Sequence, residues 1–429
     1  MSSTALTWRQ VPAREIAKEI VGGSTPSRDV HSLWNGGIPW VTPGELTKLG
    51  GKFLYETAET ISKAGLANSG AKLLPADALI VTTRATLGLV ALTTGPMTTN
   101  QGFKSIVFSG EADPNFYYHL FKTLKPEMER RASGTTFLEI SGKQFGDIVV
   151  PLPPLPEQRR IAEVLDVLND QIRSTRLVIS KLKLLRRGIL NDALTLGIGS
   201  SGRLRDPHAD PQQFVHSVVG LVPREWRVGE LGSWLANSPK NGYSPVAVDE
   251  WTGTAMLGLG CIGAGGFSPS QLKNAPRNDP RVEAALLADG DLLMTRANTR
   301  DLVGFAGLYR DIGYPCSYPD LMMRLTPTPD MSREFLALML NSDLVRRQVQ
   351  NLASGTSGSM VKISGKIVRS LTVPVSTMGE QRRICDRVRL LQSDSDAEQA
   401  QLEKLVVVRR GLMSDLLNGR VRVSAKAVS

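Results

Sequence analysis

Three groups of polar side chains set among turn residues carry recognition chemistry in the first third of the chain. They are Arg84 with Thr82, Thr83 and Thr86; Asn100, Gln101 and Lys104; and Ser133, Thr135 and Thr136. A second set stands at corresponding places further on: Arg296, Asn298, Thr299 and Arg300, then Ser354, Thr356, Ser357 and Lys362. Arginine can bridge the two acceptors of guanine, and Asn or Gln can pair with the edge of adenine. Ser, Thr and Lys more often hold phosphate. For any one residue a solvated loop is an equal alternative. Repetition of such groups in two regions favours reading of double-stranded DNA. The candidate DNA-binding set is Arg84, Thr86, Gln101, Lys104, Thr135, Arg296, Asn298, Arg300, Thr356 and Lys362.

Catalytic motifs are missing. The Gly-Lys pairs are followed by Phe53, Gln144 and Ile367, so no phosphate-binding Gly-Lys-Ser/Thr loop is present. No Asp or Glu stands two residues before a lysine, which removes a common nuclease element. The single Pro-Pro, Pro153-Pro154, follows leucine, so the Asn-Pro-Pro of amino-methyltransferases is absent. There is no Gly-x-Ser-x-Gly elbow, and His31, His119, His208 and His216 lack metal-ligand spacing. Gly258-Leu259-Gly260-Cys261-Ile262-Gly263 matches a dinucleotide fingerprint, but Ala264-Gly265-Gly266 follows where a helix is required. A glycine-rich passage from strand to loop is the better reading.

The elements that must position the polar groups repeat. Glu157-Gln158-Arg159-Arg160-Ile161 recurs as Glu380-Gln381-Arg382-Arg383-Ile384, an offset of 380 − 157 = 223. The same offset relates Arg186-Arg187-Gly188 to Arg409-Arg410-Gly411, and Ile140-Ser141-Gly142-Lys143 to Ile363-Ser364-Gly365-Lys366. A shared offset is an internal duplication. From each Glu-Gln-Arg-Arg a long amphipathic helix is predicted. Its seam runs Ile161, Leu165, Leu168, Ile172, Thr175, Ile179, Leu182, Arg186, Ile189 in one copy. In the other it runs Ile384, Val388, Leu391, Ser395, Glu398, Leu402, Leu405, Arg409, Leu412. Spacings alternating between four and three are those of a coiled coil. Prolines before each helix mark its start, and Gly197 and Gly419 its stop. Pairing of the two helices is favoured over packing of each on its own domain. The run Pro151-Leu152-Pro153-Pro154-Leu155-Pro156 is read as a strand exit into a helix start rather than a polyproline ligand.

Short alternating runs at 78–82, 89–92, 105–108 and 148–150 predict strands of a mixed sheet, and Asn115 to Arg131 a helix interrupted at Pro126. Asp77 to Leu92 is echoed by Asp291 to Leu308, and Trp8 by Trp226. Two diverged domains are thus joined to nearly identical helices. Helices that meet a common partner would stay alike; domains that read different targets would not. The chain has 429 residues and a formal net charge of +10, which favours a polyanionic partner. Three scattered cysteines, Cys261, Cys316 and Cys385, form neither a disulfide framework nor a metal motif. With no signal-peptide core and no apolar run of membrane length, the expected location is the cytoplasm.

Pro151 to Ile161 and Glu380 to Ile384, each preceded by Ile-Ser-Gly-Lys and followed by a long helix to Arg-Arg-Gly, resemble the specificity subunits of type I restriction–modification enzymes. Gly22-Gly23-Ser24-Thr25-Pro26, Ile38-Pro39-Trp40-Val41 and Asn100-Gln101-Gly102-Phe103 are similar to the opening of such a domain. The resemblance implies an α/β fold: two mixed α/β target-recognition domains separated by two long antiparallel coiled-coil helices in a pseudo-two-fold repeat. The expected boundaries are a first recognition domain at 1–156, a spacer helix at 157–196, a linker at 197–221, a second recognition domain at 222–379, a second spacer helix at 380–419 and a tail at 420–429. It implies a non-catalytic subunit of a complex for restriction and adenine methylation in defence against foreign DNA. Each domain would read one half of a bipartite target. The helices would dock two methyltransferase subunits through Glu157, Gln158, Arg159 and Arg160 and through Glu380, Gln381, Arg382 and Arg383. Motor–nuclease subunits would complete the assembly. S-adenosylmethionine, ATP and Mg2+ would be bound by these partners and no cofactor by this chain. A methylation-only system is the alternative within the family. A coiled-coil scaffold without DNA reading, or a self-contained methyltransferase, is the alternative outside it.

Overall fold

Two helices, Leu155–Thr195 (41 residues) and Met378–Leu417 (40 residues), dominate the computed structural model. At 1.5 Å per residue each is about 60 Å long. The structure describes residues 8–134, 138–357 and 360–423, with the side chains of Thr356 and Ser357 left aside. The chain divides into two compact units: residues up to Arg176 with those from Ala400 onward, and Leu177–Gln399. The division cuts each long helix near its middle instead of following its ends.

The first unit is a mixed α/β body. A five-stranded sheet runs in the order Ala17–Gly22, Phe103–Phe108, Leu79–Thr82, Val90–Thr93, Phe53–Leu54. Three of these strands lie where alternation predicts them. All four residues of Leu79–Thr82 and of Val90–Thr93 are buried, as expected of strands covered on both faces. The helix expected over 115–131 is two, Pro114–Phe121 and Lys125–Arg131, parted at Lys122–Leu124. Pro126 sits in the first turn of the second, where its missing N–H costs nothing. The core gathers Phe116, Tyr117, Phe121 and Phe145 from this layer, Ile161 and Leu165 from the start of the first long helix, and Leu416 and Leu417 from the end of the second. Arg409 also donates to Asn169 Oδ1 at 3.2 Å.

The second unit repeats this plan. Its four-stranded sheet runs Lys240–Asn241, Met322–Leu325, Leu292–Thr295, Ala306–Leu308. Its core joins Phe335, Leu336, Met339 and Leu340 to Ile384 and Cys385 from the start of the second long helix, and to Ala193 and Leu194 from the end of the first. Residues 197–221, expected as a linker, instead carry structure. Phe214–Ser217 and Gly220–Pro223 form an antiparallel hairpin, with Phe214 and Val222 buried.

The seam positions are buried or half-buried throughout, the polar Thr175 (6% exposed) and Ser395 (8%) included. Gly197 and Gly419 stop the helices with φ of +80° and +68°, the left-handed conformation in which glycine has no Cβ clash. Each stop also makes room for a tryptophan. A Cβ on Gly419 would lie 3.0 Å from the Trp8 ring, and one on Gly197 would lie 2.9 Å from the Trp226 ring.

These tryptophans reveal what the Glu-Gln pair does. In the first unit Glu157 Oε2 accepts the Trp8 indole N–H at 3.1 Å. Arg422, just beyond the second long helix, grips the same carboxylate at 2.7 and 2.8 Å. In the second unit Glu380 accepts from Trp226 at 3.0 Å and pairs with Arg205, just beyond the first long helix. Gln158 accepts the Asp113 N–H at 2.7 Å and donates to the Glu111 and Pro153 carbonyls. Gln381 accepts the Ser332 N–H at 2.8 Å and donates to those of Asp330 and Ser376. All four side chains are buried with their hydrogen-bonding groups occupied. The direct docking contacts expected of Glu157, Gln158, Glu380 and Gln381 are therefore replaced by internal clamps. Arg159, Arg160 and Arg382 remain exposed, and Arg383 is half-buried with its guanidinium on the Ile198 carbonyl.

Candidate nucleic-acid interface

In the first unit the polar groups meet through backbone hydrogen bonds. Thr83 N–H donates to the Gly102 carbonyl at 2.7 Å, and Ile140 N–H donates to the Thr83 carbonyl at 3.0 Å. Residues 82–88, 100–104 and 138–140 therefore share one edge, with Ser133 bridged to Glu139. Arg84 and Thr86 are exposed on the first of these segments and Gln101 on the second. Ala85 takes a φ of +60° between Arg84 and Thr86, a turn that keeps both neighbours outside. Arg84 forms an antiparallel bridge with Glu139, whose carboxylate lies 3.6 Å from its guanidinium. Both side chains are about two-fifths exposed, so the pair is weak and free to exchange partners. Lys104 is half-buried on the central strand between Gly22 and Val81.

Thr82, Thr83 and Asn100 serve the framework. Thr82 Oγ1 accepts the Leu89 N–H, Thr83 Oγ1 donates to Gly102, and Asn100 Oδ1 accepts the Gly102 N–H. The segment Gly22–Pro26 joins this edge. Thr25 donates to Gln101 Oε1, and Gly23 lies so near the Asn100 carbonyl that a Cβ would stand 1.8 Å from it. Glycine is required there because the two backbones touch. Nearby, Arg28 lies over the Trp34 ring at 3.9 Å and pairs with Glu59, whose carboxyl it holds below its ordinary value. Thr25, Arg28 and Glu139 were absent from the sequence-derived set. The motif Gly22–Pro26 was the signal for the first two.

The second unit makes the same edge with different side chains. Ile363 N–H donates to the Arg296 carbonyl at 2.9 Å, as Ile140 does to Thr83. Ala297 pairs with Lys362, as Arg84 bridges Glu139. Arg296 thus occupies the place of Thr83, not of Arg84. The positions of Arg84 and Glu139 are taken by Ala297 and Lys362. Arg296 is half-buried against the Asp320 carbonyl at 3.4 Å. Asn298 Oδ1 caps the Thr299 N–H, and Arg300 reaches the Gln350 carbonyl at 2.6 Å. Lys362 is exposed. Thr135 lies outside the described residues, as does the side chain of Thr356.

The glycine motif at 258–263 leads into a hairpin, Ile262–Gly263 with Gly266–Phe267, not into a helix. Gly258 and Gly260 let the chain pass close to Gln271. Among the described residues no group of three or more His, Cys, Asp or Glu is placed to hold a metal ion. No described helix is long and apolar enough to cross a membrane. The three cysteines are free and buried, and burial pushes the Cys316 and Cys385 thiols up to about 12.

The duplicated α/β chain thus offers equivalent polar edges in its two units. Residues 6–184 match the family model of the type I restriction modification DNA specificity domain. The MjaIX type I specificity subunit of Methanocaldococcus jannaschii is 32% identical over 221 residues, 51% of this chain and 49% of that one. The EcoKI specificity subunit of Escherichia coli is 27% identical over 324 residues, 73% of this chain and 65% of that one. The chain thus spans about half the length of the first and under two thirds of the second. A crystal structure of a type I system S subunit from M. genitalium covers 97% of both chains with a TM-score of 0.54 at 16% identity, a likeness of fold. Residues 6–184 thus carry the likeness to the type I specificity domain, and the chain as a whole is similar to type I restriction–modification specificity subunits.

Proposed function

We propose that this chain is the DNA-reading subunit of a type I restriction–modification complex, each unit reading one half of a split, asymmetric target. The observation that carries this is the repeated bond from Ile140 to Thr83 and from Ile363 to Arg296. It sets two different polar edges on one common framework. Arg84, Thr86, Gln101, Lys104 and Thr135 serve one half-site; Arg296, Asn298, Arg300, Thr356 and Lys362 serve the other. Antiparallel pairing of the long helices separates the two readers. Half-sites one DNA turn apart, roughly 34 Å, lie within the reach of helices of this length. The exposed arginines Arg159, Arg160 and Arg382, with the outward-facing Leu184, Leu185, Val407 and Val408, support docking of two methyltransferase subunits. S-adenosylmethionine belongs to those subunits, and ATP with Mg2+ to motor–nuclease subunits.

The test is a map of methylated adenine in host DNA with the gene intact and deleted. Loss of methylation at one motif of two short parts around a fixed gap is expected. An unchanged map, with the partner methyltransferase shown to be present and active, overturns the reading.

A further inference from the structure

The duplication also breaks along one helix of the second unit, beside a groove. Helix Arg333–Leu340 repeats helix Pro114–Phe121, since Gln381 holds Ser332 as Gln158 holds Asp113. The offset is 332 − 113 = 219, so Ala337 replaces Tyr118 and Leu338 replaces His119. In the first unit Tyr118 and His119 are buried. His119 bonds Asp166 at 2.8 Å, and Asp166 pairs with Lys52. In the second unit Ala337 and Leu338 line a groove of about 1020 Å³ between this helix, residues 183–191 of the first long helix and the hairpin tip at 264–267.

The groove is cationic at its lip and apolar at its floor. Lys183, Arg186, Arg187, Arg310 and Arg347 line it with the carboxylates of Asp301, Glu334 and Asp343, beside Leu190, Phe305, Leu308 and Leu338. The buried Arg346 is held on the Val303 and Asp301 carbonyls. Two of its carboxylates are already held: Asp343 by Arg187 at 2.9 Å and Glu334 by Arg389 at 2.8 Å. Among the described residues Lys183 and Arg347 have no ion pair, and the buried Nε of Arg186 has no hydrogen-bond partner. Phosphate alone would leave the apolar floor wet. A segment carrying both carboxylates and large apolar side chains would satisfy both surfaces.

We propose that this groove docks an acidic, apolar-faced segment of one of the two methyltransferase subunits. This rests on the docking reading above and goes further: it names the surface of the second unit on which one of the two copies is held.

The test measures the stoichiometry of the complex by analytical ultracentrifugation, with the co-expressed methyltransferase subunit. In the double variant Lys183→Glu with Arg347→Glu, both changes lie at the surface and leave the core intact. It should lose one methyltransferase copy, passing from two per chain to one, with at least a tenfold weaker affinity for that copy. Ala337→Trp, which fills the groove, should do the same. Two copies at wild-type affinity in both variants overturn the groove while leaving the docking reading standing. Retention of both copies with weakened, salt-sensitive DNA binding would also overturn it, by assigning the groove to phosphate. A wild-type chain that binds no methyltransferase overturns the docking reading and the groove together.

Discussion

The indole of Trp8 donates to the carboxylate of Glu157 at 3.1 Å, across 149 residues of chain. Trp226 and Glu380 repeat the bond at 3.0 Å. Each carboxylate is also held by an arginine from beyond the other long helix. Removing one partner of a buried pair leaves the other uncompensated. Arg205 is far less exposed than Arg422, 12% against 42%. Glu380→Ala is therefore expected to cost about 3 kcal/mol of stability and Glu157→Ala about 2 kcal/mol, with solvent replacing part of the loss at Arg422. Denaturant melts of each variant measure this; equal and negligible losses would refute the clamps.

The clamp has a pH signature. Burial raises the Glu157 carboxyl, but Arg422, Trp8 and the Val423 N–H outweigh it and hold it below its ordinary value. A depressed carboxyl contributes stability that is present above its unfolded value, about 4.3, and is lost as pH falls through the lower folded value. The melting temperatures of the wild type and of Glu157→Gln should therefore differ at pH 6, begin to converge as pH falls below about 4.3, and meet only below the lower folded value. A constant gap across that window would exclude the carboxylate as its source.

Arg84 stands exposed with a weak partner in Glu139, and in the proposed reading it reaches a base edge. Arg84→Ala should relax one position in one half of the methylated motif, at about 1–3 kcal/mol of discrimination, and leave the other half as it was. Sequencing-based methylation maps of the variant decide this, since loss spread over both halves would point to a folding defect.

The spacing between half-sites should follow helix length. Deleting about four residues, close to one turn, from one long helix is expected to change the unread gap and leave both half-sites intact. The methylated motif of the deletion variant gives the answer directly. An unchanged gap removes the ruler role from the helices.

Exchange of residues 1–150 for the corresponding domain of a relative should alter one half of the target only. If both halves change, the units do not read separately.

The long helices, their glycine stops and the strands Leu79–Thr82 and Val90–Thr93 were legible from periodicity, because burial imposes the pattern directly. The fate of Glu157 and Gln158 was not. A repeated motif says that four side chains matter, and not whether they face a partner or the interior. The register between the two reading edges was hidden for another reason. The loop closed by Gly88 on Thr82 spans 88 − 82 = 6 positions, and that closed by Gly304 on Thr295 spans 304 − 295 = 9. The extra positions fall after Arg296 and obscure the match of the two segments, while the hydrogen bonds set Arg296 opposite Thr83. The groove was equally silent, although Ala337, which lines it, stands where the first unit has Tyr118.

The first unit is finished by residues from Ala400 onward, whereas the second is one continuous stretch, Leu177–Gln399. On a ribosome the order of completion is therefore the reverse of the order of synthesis. Leu416, Leu417 and Arg422 emerge after the whole of the second unit, and the core around Phe116 and the carboxylate of Glu157 must wait for them. Domains generally fold as they emerge, N-terminal first; here the earliest-made half is the last to close. Its exposed apolar surface must be kept from aggregation until then, and a ribosome that stops before Ala400 releases a chain with only its later-made unit complete.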